Sequence, residues 1–129
     1  MASIFTRIVQ GEIPCHKIAE TSEFLAFLDI TPVALGHTLV IPKKEVDYYF
    51  DLDDETLKGI TLFSKGVAEK LKRAIPCKRI GVAIIGLEVP HAHIHLVPMN
   101  AMGDINFSSQ RLKMSQAELA QLAKEISAA

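Results

Sequence analysis

Pro90-His91-Ala92-His93-Ile94-His95-Leu96-Val97-Pro98 is the stretch that decides both the fold and the chemistry. Three of the chain's five histidines fall within five residues, spaced by apolar side chains and bounded by prolines. Side chains on a strand alternate faces with a period of two. A strand over residues 91–99 therefore puts the three imidazoles on one face and Ala92, Ile94 and Leu96 on the other. Imidazole is the side chain that titrates nearest neutrality, at about 6.5. Three of them along about 13 Å of strand make a surface able to attack, donate protons and hold an anion.

Upstream of this run, residues 79–85 are almost continuously apolar and read as a neighbouring strand. Residues 18–20 and 24–29 read as two more, joined by the turn-prone Thr21-Ser22-Glu23. Thr38-Leu39-Val40-Ile41-Pro42 is another, rich in β-branched residues and closed by proline. Leu57, Ile60, Phe63, Val67 and Leu71 keep helical spacing, which predicts a long helix over 53–73. Acidic residues open that helix and Lys70, Lys72 and Arg73 close it, both favourable to its dipole. Gly59 and Gly66 share one of its faces, and each costs about 1 kcal/mol relative to alanine, so a packing reason is expected for both. Residues 3–9 suggest a short opening helix. Ser115-Gln116-Ala117-Glu118 is a capping box ahead of a terminal helix. Residues 100–113 show no period and read as a surface loop. Strands, helix, strands and helix, with connections too short for several crossovers, predict an α+β fold: about five strands in a mostly antiparallel sheet, one long helix and a C-terminal helix.

The chain has 129 residues with no repeat or composition break, so one domain over 1–129 is expected. Hydrophobic residues at 49% against 22% charged place it among globular proteins. A net charge of −1 without a basic block argues against nucleic acid or a membrane surface as partner. The N-terminal stretch lacks the apolar core of a signal peptide. Cys15 and Cys77, far apart in sequence, read as free thiols in a reducing cytoplasm, with a disulfide as the alternative.

From the residues alone, four roles compete for the histidine run. The imidazoles decorate an exposed sheet; they ligate a metal such as zinc, although no Cys-x-x-Cys pair or acid within the run supplies further ligands; they hold an anion without turnover; or the central one attacks phosphorus while its neighbours stabilise charge.

His91-Ala92-His93-Ile94-His95-Leu96-Val97 resembles the signature of the histidine triad (HIT) family. The resemblance extends through Ile4-Phe5, Gly11-Glu12-Ile13-Pro14, Phe24-Leu25-Ala26-Phe27-Leu28-Asp29-Ile30 and Gly36-His37-Thr38-Leu39-Val40-Ile41-Pro42-Lys43, and is strongest to the Hint-like branch of small nucleotide hydrolases. It implies His93 as nucleophile toward the α-phosphorus of a nucleoside 5′-phosphoramidate or related phosphoanhydride, through a nucleotidyl-histidine intermediate. His91 and His95 flank it as donors, and His37 joins as the fourth histidine. Phe27 and Ile30 imply apolar walls around a purine base, and Asp29 a partner for the ribose hydroxyls. In a bland reading Asp29 only caps the Asp-Ile-Thr-Pro turn. The resemblance also implies a homodimer, with two sheets joined and the long helix near the interface.

The chain departs from the family pattern in several places. Gly86-Leu87-Glu88-Val89-Pro90 replaces a Gly- and Gln-rich loop that contacts phosphate. Val89 still offers an N–H there and Pro90 does not. Glu88 adds a carboxylate that repels an anion or holds a histidine charged. Ile84-Ile85 stand where an asparagine is expected. Ser3-Ile4-Phe5-Thr6 replaces the cysteines of zinc-containing members, so neither a structural zinc nor a cofactor is expected. Histidine rather than glutamine at His95 favours hydrolysis over nucleotidyl transfer. The functional alternatives are a dinucleoside polyphosphate hydrolase, as in the Fhit-like branch, and a purine-nucleotide-binding protein with little turnover.

Overall fold

A computed structural model describes residues 2–108 and 110–129. It shows five antiparallel strands, β1 (Lys17–Glu20), β2 (Phe24–Leu28), β3 (Thr38–Pro42), β4 (Arg79–Ala83) and β5 (Ile94–Met99), ordered β1-β2-β3-β5-β4. Three helices accompany them: α1 (Ile4–Val9), α2 (Asp54–Ala74) and α3 (Gln116–Ala128). Each begins at a side-chain cap, Ser3, Asp53 and Ser115, whose oxygen accepts a backbone N–H of the first turn.

The alternation of strand residues divides the interior into two layers. Phe24, Ala26 and Leu28 of β2, Val40 of β3, and Ile94 and Leu96 of β5 face α2 and α3, where Ile60, Val67, Leu71, Leu119, Ala123 and Ile126 complete the main core. Burial of each such aliphatic side chain is worth about 1.5–3 kcal/mol. Leu25, Phe27, Leu39 and Ile41 point to the opposite face, where Phe5 of α1 closes a smaller cluster. The two helices thus back the sheet while its front stays open for a site.

Two expected strand boundaries are corrected. β4 ends at Ala83, and Ile84 and Ile85 run on exposed. β5 begins at Ile94 rather than at residue 91. The ladder cannot start earlier because the backbone before Ile94 is committed elsewhere. His91 N–H donates to Val89 O at 2.8 Å and Ala92 N–H to Val46 O at 2.7 Å, while His91 O accepts from the His93 ring. Pairing of β3 with β5 accordingly stops at Val40 and Ile94.

The paired helix glycines also part company. A Cβ on Gly59 would lie 3.0 Å from the Phe24 ring, so that glycine admits the aromatic ring. One on Gly66 meets nothing within 4 Å among the described residues, contrary to the packing reason expected for it. Gly36 is the most constrained turn glycine, with φ +88° and Ile75 in the way of any Cβ. In urea denaturation, Gly66→Ala is expected to stabilise by up to about 1 kcal/mol and Gly36→Ala to destabilise by about 1–3 kcal/mol. Equal effects at the two positions would contradict this packing.

Candidate active site

The open face of the sheet carries a cavity of about 550 Å³. α1 contributes Phe5, the end of β2 and the following turn contribute Phe27, Asp29 and Ile30, and the segment before β5 contributes Val89 and His93. His95 also lines it. Phe27 is buried and packs edge-on against Phe5 at 5.6 Å between ring centroids. Ile30 is 58% exposed, so it forms a rim rather than a core wall. Phe5 in turn meets the His93 ring edge-on at 5.1 Å, and the His93 and His95 rings lie 4.8 Å apart.

Backbone partners fix the ring protons, because a carbonyl only accepts and an N–H only donates. His93 Nδ1 lies 2.7 Å from His91 O. Nδ1 therefore carries a proton, and in the neutral ring Nε2 presents its lone pair. Val33 N–H donates to His37 Nδ1 at 3.1 Å, which places the His37 proton on Nε2. That nitrogen lies 2.9 Å from His95 Nδ1, so His95 accepts there and its remaining N–H is at Nε2. A second proton on either ring would put two N–H groups face to face or against the Val33 amide. Burial pushes in the same direction: it lowers His37 to about 4, helped by Arg111 and His93, and His95 to about 3, helped by His93 and His37 and opposed by Asp29.

His91 is placed differently. It is fully buried, and both ring nitrogens are engaged away from the cavity: Nε2–H donates to Pro42 O at 2.8 Å, and Nδ1 lies 2.8 Å from the Ser3 hydroxyl. Burial is the main cause that lowers its pKa. The expectation that His91 donates directly to substrate is thus corrected; what it offers the site is its carbonyl, which holds His93.

Asp29 caps the Asp-Ile-Thr-Pro turn and also lines the cavity. Its Oδ1 accepts from Thr31 N–H at 2.8 Å and caps the turn, while Oδ2 lies 3.7 Å from His37 Nε2 and 3.9 Å from the Arg111 guanidinium. Val89 lines the cavity, and its N–H has no partner among the described residues. Glu88 also faces the cavity. Lys43 does not; it pairs with Glu20 at 2.8 Å. His16 bonds Gln116 away from the site. Asp29, His37 and His95 are the described residues able to hold a cation, with ligand atoms within 4.8 Å of one another. Metal binding there would break the His37–His95 hydrogen bond.

The loop after β5 supplies two residues that periodicity does not reveal. Phe107 packs on His95 at 4.6 Å and on His37 at 5.8 Å between centroids. Arg111 sits 5.7 Å over the Phe107 ring and donates to Thr31 O at 2.7 Å. A lone aromatic and a lone basic residue in an irregular segment carry no pattern by which to find them.

Comparison with known proteins places the fold and the sequence in one family. The HIT domain family model matches residues 10–102. The adenosine 5′-monophosphoramidase hnt1 of Schizosaccharomyces pombe is 37% identical over 133 residues, covering 98% of this chain and 97% of that protein. A HIT-like protein of Bartonella henselae, described as involved in cell-cycle regulation, superposes with a TM-score of 0.85 at 31% identity, over 98% of this chain and 94% of the other. A HIT family hydrolase of Legionella pneumophila gives 0.69 at 33% identity, over 78% and 96%. By sequence, by the antiparallel sheet and by the histidines that its front face gathers, the chain belongs to the HIT family.

Proposed function

We propose that the protein is a metal-independent purine nucleoside phosphoramidate hydrolase with His93 as nucleophile. The observation that carries this reading is the His93 ring: Nδ1–H is held by a carbonyl, which leaves Nε2 of the neutral ring as the nucleophilic atom, and His93 and His95 both line the cavity. His93 Nε2 attacks the α-phosphorus, a phosphorus–nitrogen bond to histidine forms and the bond to the amine breaks, with the amine protonated from solvent. Positive charge that develops on the His93 ring is met by His91 O. His95 Nε2–H donates to a nonbridging phosphoryl oxygen, and the Val33–His37 chain keeps that proton in place. Water then cleaves the nucleotidyl-histidine and releases the nucleoside monophosphate, so one hard displacement becomes two easier ones. Phe27, Ile30 and Phe5 take the base, Asp29 Oδ2 accepts from the ribose hydroxyls, and Val89 N–H serves the phosphate. The phosphoramidase activity of the fission-yeast relative supports the substrate class.

AMP release from adenosine 5′-phosphoramidate with a chelator present is the test. Undiminished turnover is expected. Turnover of a dinucleoside polyphosphate alone would favour the other hydrolase, tight AMP binding without turnover a binding protein, and loss with chelator a metal enzyme.

The same reading includes a homodimer in a reducing cytoplasm, where Cys15 and Cys77 stay free, with no nucleic-acid or membrane partner. β4 is an edge strand, and Val82 (60%), Ile84 (41%), Ile85 (50%) and Leu62 (70%) are apolar and exposed. Uncovered edges of this kind invite pairing. Light scattering is expected to give twice the 14.2 kDa chain mass; a monomer would overturn the assembly.

A further inference from the structure

A hydrogen-bonded cluster lies behind the site, outside the cavity. Glu45, in the loop after β3, is exposed, and its Oε1 accepts from Ser3 N–H at 2.7 Å and from the Thr6 hydroxyl at 2.6 Å. Ser3 and Thr6 belong to the first turn of α1 and its cap, 42 and 39 residues away in sequence. The Ser3 hydroxyl accepts from Thr6 N–H at 3.0 Å. It also meets His91 Nδ1, which is bare because Nε2–H is given to Pro42 O. The serine is therefore the donor in that contact. The same loop grips the next residue, since Val46 O accepts from Ala92 N–H. Residues 42–46 thus hold the segment before β5 at three points: directly through Pro42 O and Val46 O, and through the N-terminus by way of Glu45.

We propose that Glu45 is a positioning residue for the nucleophile: its carboxylate fixes Ser3 and Thr6, the Ser3 hydroxyl fixes the tilt of a His91 ring whose tautomer Pro42 O sets, and the His91 carbonyl fixes the proton and direction of His93. The inference rests on the assignment of His93 as nucleophile for its catalytic consequence, but not for its structural content. Glu45 touches no cavity-lining atom of the histidine pair, and it acts through two intermediaries. Its partners are an N–H and a hydroxyl, so the carboxylate works here as a two-donor acceptor. These two hydrogen bonds, the Ser3 N–H first, hold its own pKa down to about 2, which keeps the acceptor ionised through the working range. Without Glu45, the Ser3 amide and Thr6 hydroxyl turn to water. Ser3 then keeps only its cap bond from Thr6 N–H, and its hydroxyl tilts more freely against His91 Nδ1.

Misplacement of a reacting group by about 1 Å costs on the order of 10²-fold in rate. Glu45→Ala is expected to lower kcat by about 10-fold or more while KM changes by less than about 3-fold, because the cavity walls around the base keep their own supports. Glu45→Gln keeps an acceptor oxygen and is expected to recover most of the loss.

Side-chain ¹⁵N NMR of the histidines, on wild type and both variants, is the deciding experiment because it needs no turnover. The wild type is expected to show His91 protonated at Nε2 alone and His93 at Nδ1 alone. Glu45→Ala is expected to keep both tautomers, because Pro42 O and His91 O remain, but to shift the His91 Nδ1 and His93 Nδ1 resonances as their hydrogen bonds loosen, with the fold intact, and Glu45→Gln to restore them. Unchanged His91 and His93 signals in a folded Glu45→Ala protein would overturn the positioning role, whatever the activity. Absent turnover in the wild type, with the Nδ1 signals responding as described, would overturn the hydrolase reading and leave the network standing.

Discussion

His93→Ala is expected to reduce AMP release from adenosine 5′-phosphoramidate by on the order of 10⁴-fold or more, the scale on which removal of a covalent nucleophile is felt. The loss should fall on kcat. Nucleotide affinity should change little, because Phe27, Asp29 and Ile30, assigned to the base and ribose, remain. Rapid quenching of the wild type should capture nucleotide on protein, labile in acid as a phosphorus–nitrogen bond to imidazole is, and the variant should capture none. His95→Ala is a milder case, since it removes one hydrogen-bond donor to the phosphoryl oxygen. Full turnover by His93→Ala would remove the covalent mechanism.

Acid is expected to weaken the fold in a window set by buried imidazoles. His37 and His95 are lowered from 6.5 to about 4 and about 3. As pH falls below 6.5, the unfolded chain takes up protons that the folded chain refuses. The stabilisation from these groups is thus fully present above pH 6.5 and is lost as pH falls toward 4 and 3. His91, also lowered, acts in the same direction. Each proton contributes a slope of about 1.4 kcal/mol per pH unit within its window. Glu20 and Glu45, lowered to about 2, act only below about 4.5, so the interval from 6.5 to 4.5 isolates the histidines. Urea titrations across that interval should show stability declining with acid. His37→Gln should reduce the slope by about one proton's worth, although the variant is weaker at every pH. A flat profile in the wild type would contradict the neutral, hydrogen-bonded pair.

The parts of the fold that follow from period and punctuation were legible in advance. α2 declares itself through Leu57 to Leu71 and its acidic start, and α3 through its capping box. β2 and β3 are bounded by turn residues and Pro42. The inner edge of β5 was not legible, because what ends it is a set of bonds from Val46 O, Val89 O and the His93 ring, all non-local or side-chain in origin. Alternation still sent Ile94 and Leu96 into the main core, opposite His95. His37 became visible only through resemblance to a family, since one histidine at the head of a strand has no signature of its own. The division of labour among the triad lay beyond sequence altogether: the same spacing is compatible with His91 in the cavity or, as found, locked behind it.

The cavity has one further property. The matched family segment, residues 10–102, contains His37, His91, His93 and His95 together with Phe27 and Asp29. Phe5 on one rim and Phe107 and Arg111 on the other lie outside it, in the two ends of the chain. The cavity lining is therefore drawn from that segment, in Phe27, Asp29 and Ile30, and from both ends of the chain. Substitutions near either end of the chain can reshape the rim of the cavity while leaving the four histidines, and the strands that carry them, untouched.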